Sequence, residues 1–212
     1  MDLSTMKPTL VIMTKEVVPG NVKTRLAASI GNTNAAKIHF ELFRYLLEQI
    51  QILDIPVVVS LDQIIVHGEI QELCNEYQIP TSIQVTGDLG MKIFYEMNQY
   101  SRCTVIGSDT PLISLEEIKR TLLSPQDLFL GPSEDGGYWL ISMTKPNISL
   151  FEDIQWSTSS VFSQTLHNAK KLQYPVHILS KRYDIDTISD LQKLLSDQNT
   201  PSLLKKRILP YA

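Results

Sequence analysis

This sequence has little cysteine, no long apolar run and no excess of positive charge. Cys74 and Cys103 are its only cysteines in 212 residues, and neither belongs to a CxxC pair. That excludes a metal knuckle and a disulfide framework, and two free, buried thiols suit a reducing compartment. No apolar run approaches the roughly 18 residues of a membrane span. Met1 to Pro8 is polar and lacks the apolar stretch of a secretory leader. The expected location is therefore cytoplasmic. Lys and Arg number 19 against 23 Asp and Glu, a formal charge of −4. A nucleic-acid partner, which needs a basic face to neutralise phosphates, is not expected. His39, His67, His167 and His177 show no metal-binding spacing and read as surface or packing residues.

What is present suits an ordinary globular protein. A hydrophobic share of 43% with 20% charged residues can bury a sizeable core. The length and the absence of linkers or repeats point to one domain over residues 1–212. Thr9 to Met13 reads as a strand, Lys23 to Ile30 as a short helix stopped by Gly31, and Thr33 to Ile52 as a long amphipathic helix. Pro56 to Ser60 is a second strand, followed by a helix over Gly68 to Tyr77 and a strand near Ser82 to Val85. A helix over Leu89 to Tyr100 and a buried strand over Cys103 to Gly107 come next, and Ser114 with Glu117 forms a capping-box pattern. This alternation predicts a doubly wound, mostly parallel sheet.

The pattern changes from Asp127. Leu128 to Leu130 and Tyr138 to Met143 are strand-like, with no room for a helix between them. Ser159 to Lys171 then reads as a helix, Val176 to Leu179 as a strand and Thr187 to Leu195 as a closing helix. The fold class expected is α/β, a Rossmann-like sandwich on a mixed central sheet.

In such sheets ligands gather beyond the carboxyl ends of the strands. Three segments place charge there. After the first strand come Lys15, Lys23 and Arg25. With a helix beginning near Asn21, Lys23 and Arg25 fall in its first turn, the unfavourable end for cations unless an anion is shared with the free N–H groups. A phosphate chain fits that role. After the Cys103 strand come Ser108 and Asp109, then Thr110 and Pro111. A carboxylate at the tip of a buried strand can hold Mg²⁺ or Mn²⁺ against a diphosphate. In the third segment Asp184 and Asp186 alternate along an extended stretch, while Thr187 and Asp190 form a capping box of their own. The run from Asp184 to Ile188 brushes the D-x-D-x-[TV] phosphatase motif, but Ile188 breaks it. A further segment joins Glu134 and Asp135 to Gly136, Gly137 and Tyr138, with Trp156 and Thr158 further on. Glycines let a backbone approach a ligand closely, and aromatic faces stack on a sugar or base.

The ordered set Lys15…Pro19-Gly20-x-Val22-Lys23-Thr24-Arg25-Leu26, Gly87-Asp88-Leu89-Gly90, Gly107-Ser108-Asp109-Thr110-Pro111, Gly131-Pro132-x-Glu134-Asp135-Gly136-Gly137-Tyr138, Trp156-Ser157-Thr158 and Asp184-Ile185-Asp186-Thr187 resembles a family. It is similar to the bacterial glycosyltransferase-A-type, nucleotide-diphospho-sugar transferase-like proteins, some linked to arsenosugar biosynthesis. Met91-Lys92-Ile93 stands where relatives carry an acidic residue, Arg and Met. The basic loop also resembles that of molybdenum-cofactor and phospholactate guanylyltransferases.

The resemblance implies a nucleotide-binding α/β sandwich in which Asp109 helps bind metal and diphosphate. The site expected on all these grounds has Asp109 and Asp135 as catalytic carboxylates and Asp109 and Asp186 as ligands of Mg²⁺ or Mn²⁺. Lys15, Lys23, Arg25 and Ser108 bind phosphate, and Glu134, Gly136, Gly137, Tyr138, Trp156 and Thr158 line the acceptor pocket. The expected partners are an NDP-sugar or an NTP and a small-molecule acceptor. The expected reaction is glycosyl transfer, with nucleotidylyl transfer as the runner-up and a non-catalytic nucleotide sensor as the third reading.

Overall fold

A computed structural model describes residues 7–125 and 128–212. The polar start of the chain before residue 7 and the change of pattern at Asp127 lie outside the described residues.

Strand β1 (Thr9–Thr14) is apolar on both faces because helices cover both. Leu10 and Ile12 point into one core with Phe43, Leu46, Leu47 and Ile70, whereas Val11 points into the other with Ile93, Met97 and Ile141. This is the two-residue period of a strand read out on opposite sides of one sheet. Around β1 lie β2 (Val57–Leu61), β3 (Thr81–Ile83), β4 (Cys103–Gly107), β5 (Leu128–Pro132), β6 (Tyr138–Met143) and β7 (Val176–Ile178). The order across the sheet is β3-β2-β1-β4-β6-β5-β7. β1 pairs in parallel with β2 and β4, and β5 in parallel with β7. Among the described residues only β6, inserted between β4 and β5, runs against its neighbours. The sheet is mixed and mostly parallel, with β1 and β4 in its middle, as the sequence predicts.

The helices are α1 (Thr24–Ile30), α2 (Asn32–Ile50), α3 (Glu69–Glu76), α4 (Leu89–Met97), α5 (Leu115–Leu123), α6 (Val161–Lys171), α7 (Ile188–Ser196) and α8 (Ser202–Ile208). Helix α8 is absent from the sequence reading, which closes the chain with α7. Its Leu204 and Ile208 pack into a third core with Leu26 of α1, Leu42 of α2 and Leu191 of α7. Among the described residues no helix is long and apolar enough to cross a membrane.

Two local expectations change. Helix α1 begins at Thr24 rather than near Asn21. Lys23 is its N-cap in a left-handed conformation, φ 49° and ψ 41°, so only Arg25 of the two cations lies in the first turn. Only half of the capping box at α5 forms. The Ser114 hydroxyl accepts from Glu117 N at 3.2 Å, but the Glu117 carboxylate accepts from Ser180 N and Arg182 instead. The Thr187–Asp190 box at α7 is complete.

Candidate functional site

The C-terminal ends of β1 and β4 lie side by side, with Met13 opposite Gly107. The segment before α7 closes on this edge, because Ile185 N donates to the Asp109 carbonyl at 3.1 Å. That bond brings the second and third charged segments together, and the loop before α1 completes the group.

Lys23 is the centre of the cluster. Its side chain is 2% exposed, with Nζ 2.8 Å from Asp109 Oδ1 and 3.2 Å from Asp186 Oδ1. A left-handed backbone at a residue other than glycine costs roughly 1–2 kcal/mol, so the two ion pairs oppose a local strain. Burial alone would lower the lysine pKa, but the charges of Asp109 and Asp186 outweigh it and raise it. Asp109 is the converse case. Desolvation would raise its carboxyl, yet Lys23 and then His39 hold it well below the usual carboxylate range. Its side chain is still 42% exposed, so part of the carboxylate faces the opening. The other oxygen of Asp186 takes Nη2 of Arg25, whose side chain is 66% exposed. Lys23 and Arg25 thus neutralise Asp109 and Asp186 charge for charge.

His39 belongs here, although the sequence reading makes it a packing or surface residue. It is buried on α2, its Nε2 lies 2.9 Å from the Lys15 carbonyl, and its Nδ1 lies 3.7 Å from Asp109 Oδ1. A carbonyl only accepts, so Nε2 is the donor in this contact. Ser108 is buried, and its hydroxyl pairs with that of Thr14 at 2.9 Å. Lys15 itself is exposed, and what it gives the cluster is its carbonyl.

Asp184, which alternates with Asp186 along the same stretch, is a second addition to the site. Thr110 donates its hydroxyl to it, and burial, with Asp109 and Asp135 nearby, pushes its pKa up to about 6. Glu16 is a third. It is fully buried and accepts from Ile70 N at 2.7 Å and from Gln71 N at 3.3 Å, capping α3 beside the end of β1. An apolar flank with one acidic residue gave no sequence signal for that role.

The Glu134–Tyr138 turn serves the fold first. The Asp135 carboxylate accepts from the Ser133 hydroxyl and from Gly137 N, so it ties its own turn together. Glu134 pairs with Lys193 at 2.8 Å. Gly136 has a positive φ of 91°, and a β-carbon there would run into the Ser159 backbone. The turn is thereby pinned to the loop carrying Trp156 and Thr158, through Phe162 N to the Gly136 carbonyl at 2.9 Å. Thr158 donates to the Gln155 carbonyl at 2.7 Å. A β-carbon on Gly90 would lie 2.6 Å from Trp156 Cζ2, so two motifs far apart in the chain meet in one contact. A cavity of about 470 Å³ lined by Tyr45, Pro111, Arg182, Tyr183 and Pro201 contains none of the charged residues of this cluster.

Among the described residues no group of three or more His, Cys, Asp or Glu is arranged to hold a metal ion. Asp109 fits the part of one carboxylate ligand, because it keeps an open side. Asp186 does not fit as it stands, since both its oxygens are engaged by Lys23 and Arg25. Mg²⁺ needs only one or two carboxylates when phosphates and water supply the rest.

Comparison with known proteins sets this geometry in context. A family model described as an uncharacterized protein conserved in bacteria, DUF2064, matches residues 47–158. No curated protein matches the chain by sequence. Among solved structures, a candidate nucleotide-diphospho-sugar transferase from Desulfovibrio desulfuricans G20 is similar with a TM-score of 0.86 and 25% identity, over 97% of this chain and 95% of that one. The inositol-1-phosphate CTP transferase of T. maritima is similar with a TM-score of 0.57 and 13% identity, over 97% and 96%. The 4-diphosphocytidyl-2C-methyl-D-erythritol synthase of Anaerococcus prevotii follows at 0.56 and 10%, over 88% and 96%. The last two share the fold.

Proposed function

Because the chain belongs to the bacterial DUF2064 family and its fold is that of nucleotide-diphospho-sugar transferases, we propose that it is a nucleotide-using transferase that moves a glycosyl group from an NDP-sugar to a small acceptor. The observation that carries this reading is the cluster of Lys23, Arg25, Asp109 and Asp186 at the strand ends. Two cations and an open carboxylate at the edge where α/β sheets bind ligands suit a diphosphate.

In this reading Arg25, already exposed, takes the phosphates first, and its fork suits their oxygens. Lys23 follows as a point charge. Asp109 would hold a Mg²⁺ or Mn²⁺ ion beside phosphate oxygens and water, and Asp186 could join it only if Lys23 and Arg25 turned to the phosphates. Such an ion would supply charge stabilisation to the departing phosphate oxygens. The Trp156 face, braced on Gly90, offers the acceptor a wall. The acceptor hydroxyl must lose a proton. Asp184 suits that better than Asp135, because a general base works best with a pKa near the working pH, and Asp135 is held in its turn.

A second reading is nucleotidylyl transfer from an NTP with loss of pyrophosphate. What favours it is that both cations stand at the start of α1, Lys23 as its N-cap and Arg25 in its first turn, from which they could hold the β- and γ-phosphates together. One experiment tests both. Thermal shift with NTPs, NDPs and NDP-sugars, with and without Mn²⁺, identifies the ligand, and product analysis follows. A free nucleoside diphosphate from an NDP-sugar supports the first reading, and pyrophosphate from an NTP supports the second. Asp109→Asn should keep the fold and lose the Mn²⁺-dependent part of the shift. No shift with any nucleotide would refute both.

A further inference from the structure

Gln84 directly follows β3, and its backbone N–H donates to the Leu61 carbonyl at 2.8 Å. Its side chain then crosses the end of β2. Nε2 donates to the Ser60 carbonyl at 2.9 Å and to the Thr14 carbonyl at 3.2 Å, bridging the ends of β2 and β1. Carbonyls accept and never donate, so both amide hydrogens are committed and the amide has one orientation. Oε1 is thereby fixed as an acceptor. Asp62 brings a carboxylate to the same corner. Its N–H donates to that Thr14 carbonyl at 3.2 Å, and its Oδ1 accepts from Glu16 N at 2.9 Å. Gln84 and Asp62 are both half-buried, within reach of a ligand.

The loops that carry these two acceptors also hold apolar side chains out in solvent. Ile64 and Val66 follow Asp62, and Leu89 and Met91 follow Gln84; all four are exposed. Met91 lies back over Gly87, where a β-carbon would sit 3.1 Å from its own. Thr14 ties this corner to the charged cluster. Its carbonyl holds the Gln84 amide, and its hydroxyl pairs at 2.9 Å with Ser108, the chain neighbour of Asp109. Adjacent strands lie about 4.8 Å apart, so a nucleotide with its phosphates at Lys23 and Arg25 can bring its base to Gln84 along the same edge.

We propose that Gln84 reads the base of the nucleotide and, with Asp62, selects one that carries an exocyclic amino group. The inference rests on the nucleotide-binding reading above and narrows its substrate class to cytosine, adenine or guanine nucleotides. An amino group offers two N–H donors to a corner furnished with acceptors. A keto oxygen at the same position brings lone pairs against Oε1 and a carboxylate, and the pinned amide cannot turn its NH₂ outward to meet them without leaving two carbonyls. A site built to accept from a ligand N–H discriminates strongly against the analogue that lacks it. The exposed apolar side chains beside the corner serve the flat faces of the ring.

The test is calorimetry with nucleoside diphosphates paired by that one group: CDP against UDP, ADP against IDP, and GDP against IDP. All are measured in one buffer, so whatever the phosphates contribute cancels in the ratio. The wild type should bind at least one amino-bearing member about tenfold or more tighter than its keto or amine-free partner, and the pair that shows this identifies the base. Gln84→Met, checked by circular dichroism, should bring that ratio close to one, and Gln84→Leu replaces it where the methionine variant fails to fold. A brace between strand ends and nothing more would lower the melting temperature of the variants and leave the ratio intact, which overturns the proposal. Equal binding within every pair by the wild type, or a preference for UDP or IDP, overturns it without any variant. Failure of the nucleotide-binding reading looks different, since then none of the five diphosphates binds and the inference falls with it.

Discussion

The Thr110 hydroxyl donates to the Asp184 carboxyl from 74 residues away in the chain, joining the loop after β4 to the segment before α7. Burial and the neighbouring carboxylates raise Asp184 from 3.8 to about 6. A pKa raised on folding favours the protonated native state. Its stabilising effect is full below about pH 3.8 and is lost as the pH rises through about 6. Asp184→Asn mimics the protonated form, so it should stabilise the protein by about 1–3 kcal/mol at pH 7–8. The gain should fade to nothing below about pH 4. Thermal melts of both proteins across pH 3.5–8 check this, and a gain that does not vary with pH would exclude Asp184 as the responsible group.

Arg25 is exposed and pairs with Asp186 at the edge of the cluster. Arg25→Ala should change stability little, as exposed pairs usually do. Nucleotide affinity should fall by roughly 1–3 kcal/mol, the worth of a charge-assisted hydrogen bond. Calorimetry with the best ligand from the thermal-shift screen measures it. Unchanged affinity would remove the loop from the phosphate site.

Glu16 satisfies the N-terminus of α3 from a fully buried position. Glu16→Ala should cost about 2–3 kcal/mol, because buried N–H groups lose their acceptor and the helix dipole loses its counter-charge. Urea denaturation should show a lower midpoint with the same slope. A wild-type midpoint would mean that water replaces the carboxylate.

Gly90 leaves space for Trp156 and Phe151, at 2.6 Å and 2.7 Å from the β-carbon an alanine would bring. Gly90→Ala should cost about 1–3 kcal/mol by overpacking and should move Trp156 outward. Tryptophan emission should shift to the red. Emission identical to the wild type would show that α4 moves instead and spares the loop.

The sequence made the sheet legible because its strands are short apolar runs ending at turn signals. Cys103–Gly107 and Tyr138–Met143 were readable to the residue. Helix α8 was not, since Ser202–Ile208 is short and its apolar residues find their partners on α1 and α2, far off in sequence. Site positions were legible wherever charge follows a strand, as at Asp109. What the charges do was not. Periodicity says that Lys23 is near the strand ends, but a left-handed N-cap that turns its ammonium inward depends on Asp186, over 160 residues later. His39 was hidden for a related reason. On an apolar helix face it looks like packing, and only the carbonyl of Lys15 and the nearness of Asp109 mark it as part of the site.

The bond from Ile185 N to the Asp109 carbonyl also sets a schedule. Chains emerge from the ribosome N-terminus first, so Lys23 is made long before either carboxylate it pairs with. Until the segment around Asp186 has been synthesised and has docked, the lysine has at most one of its two carboxylate partners, Asp109. A nascent chain can therefore pair β1 with β2 and β4 and still have no binding edge. Competence arrives in one late step, so ligand binding would report that the last part of this fold has closed.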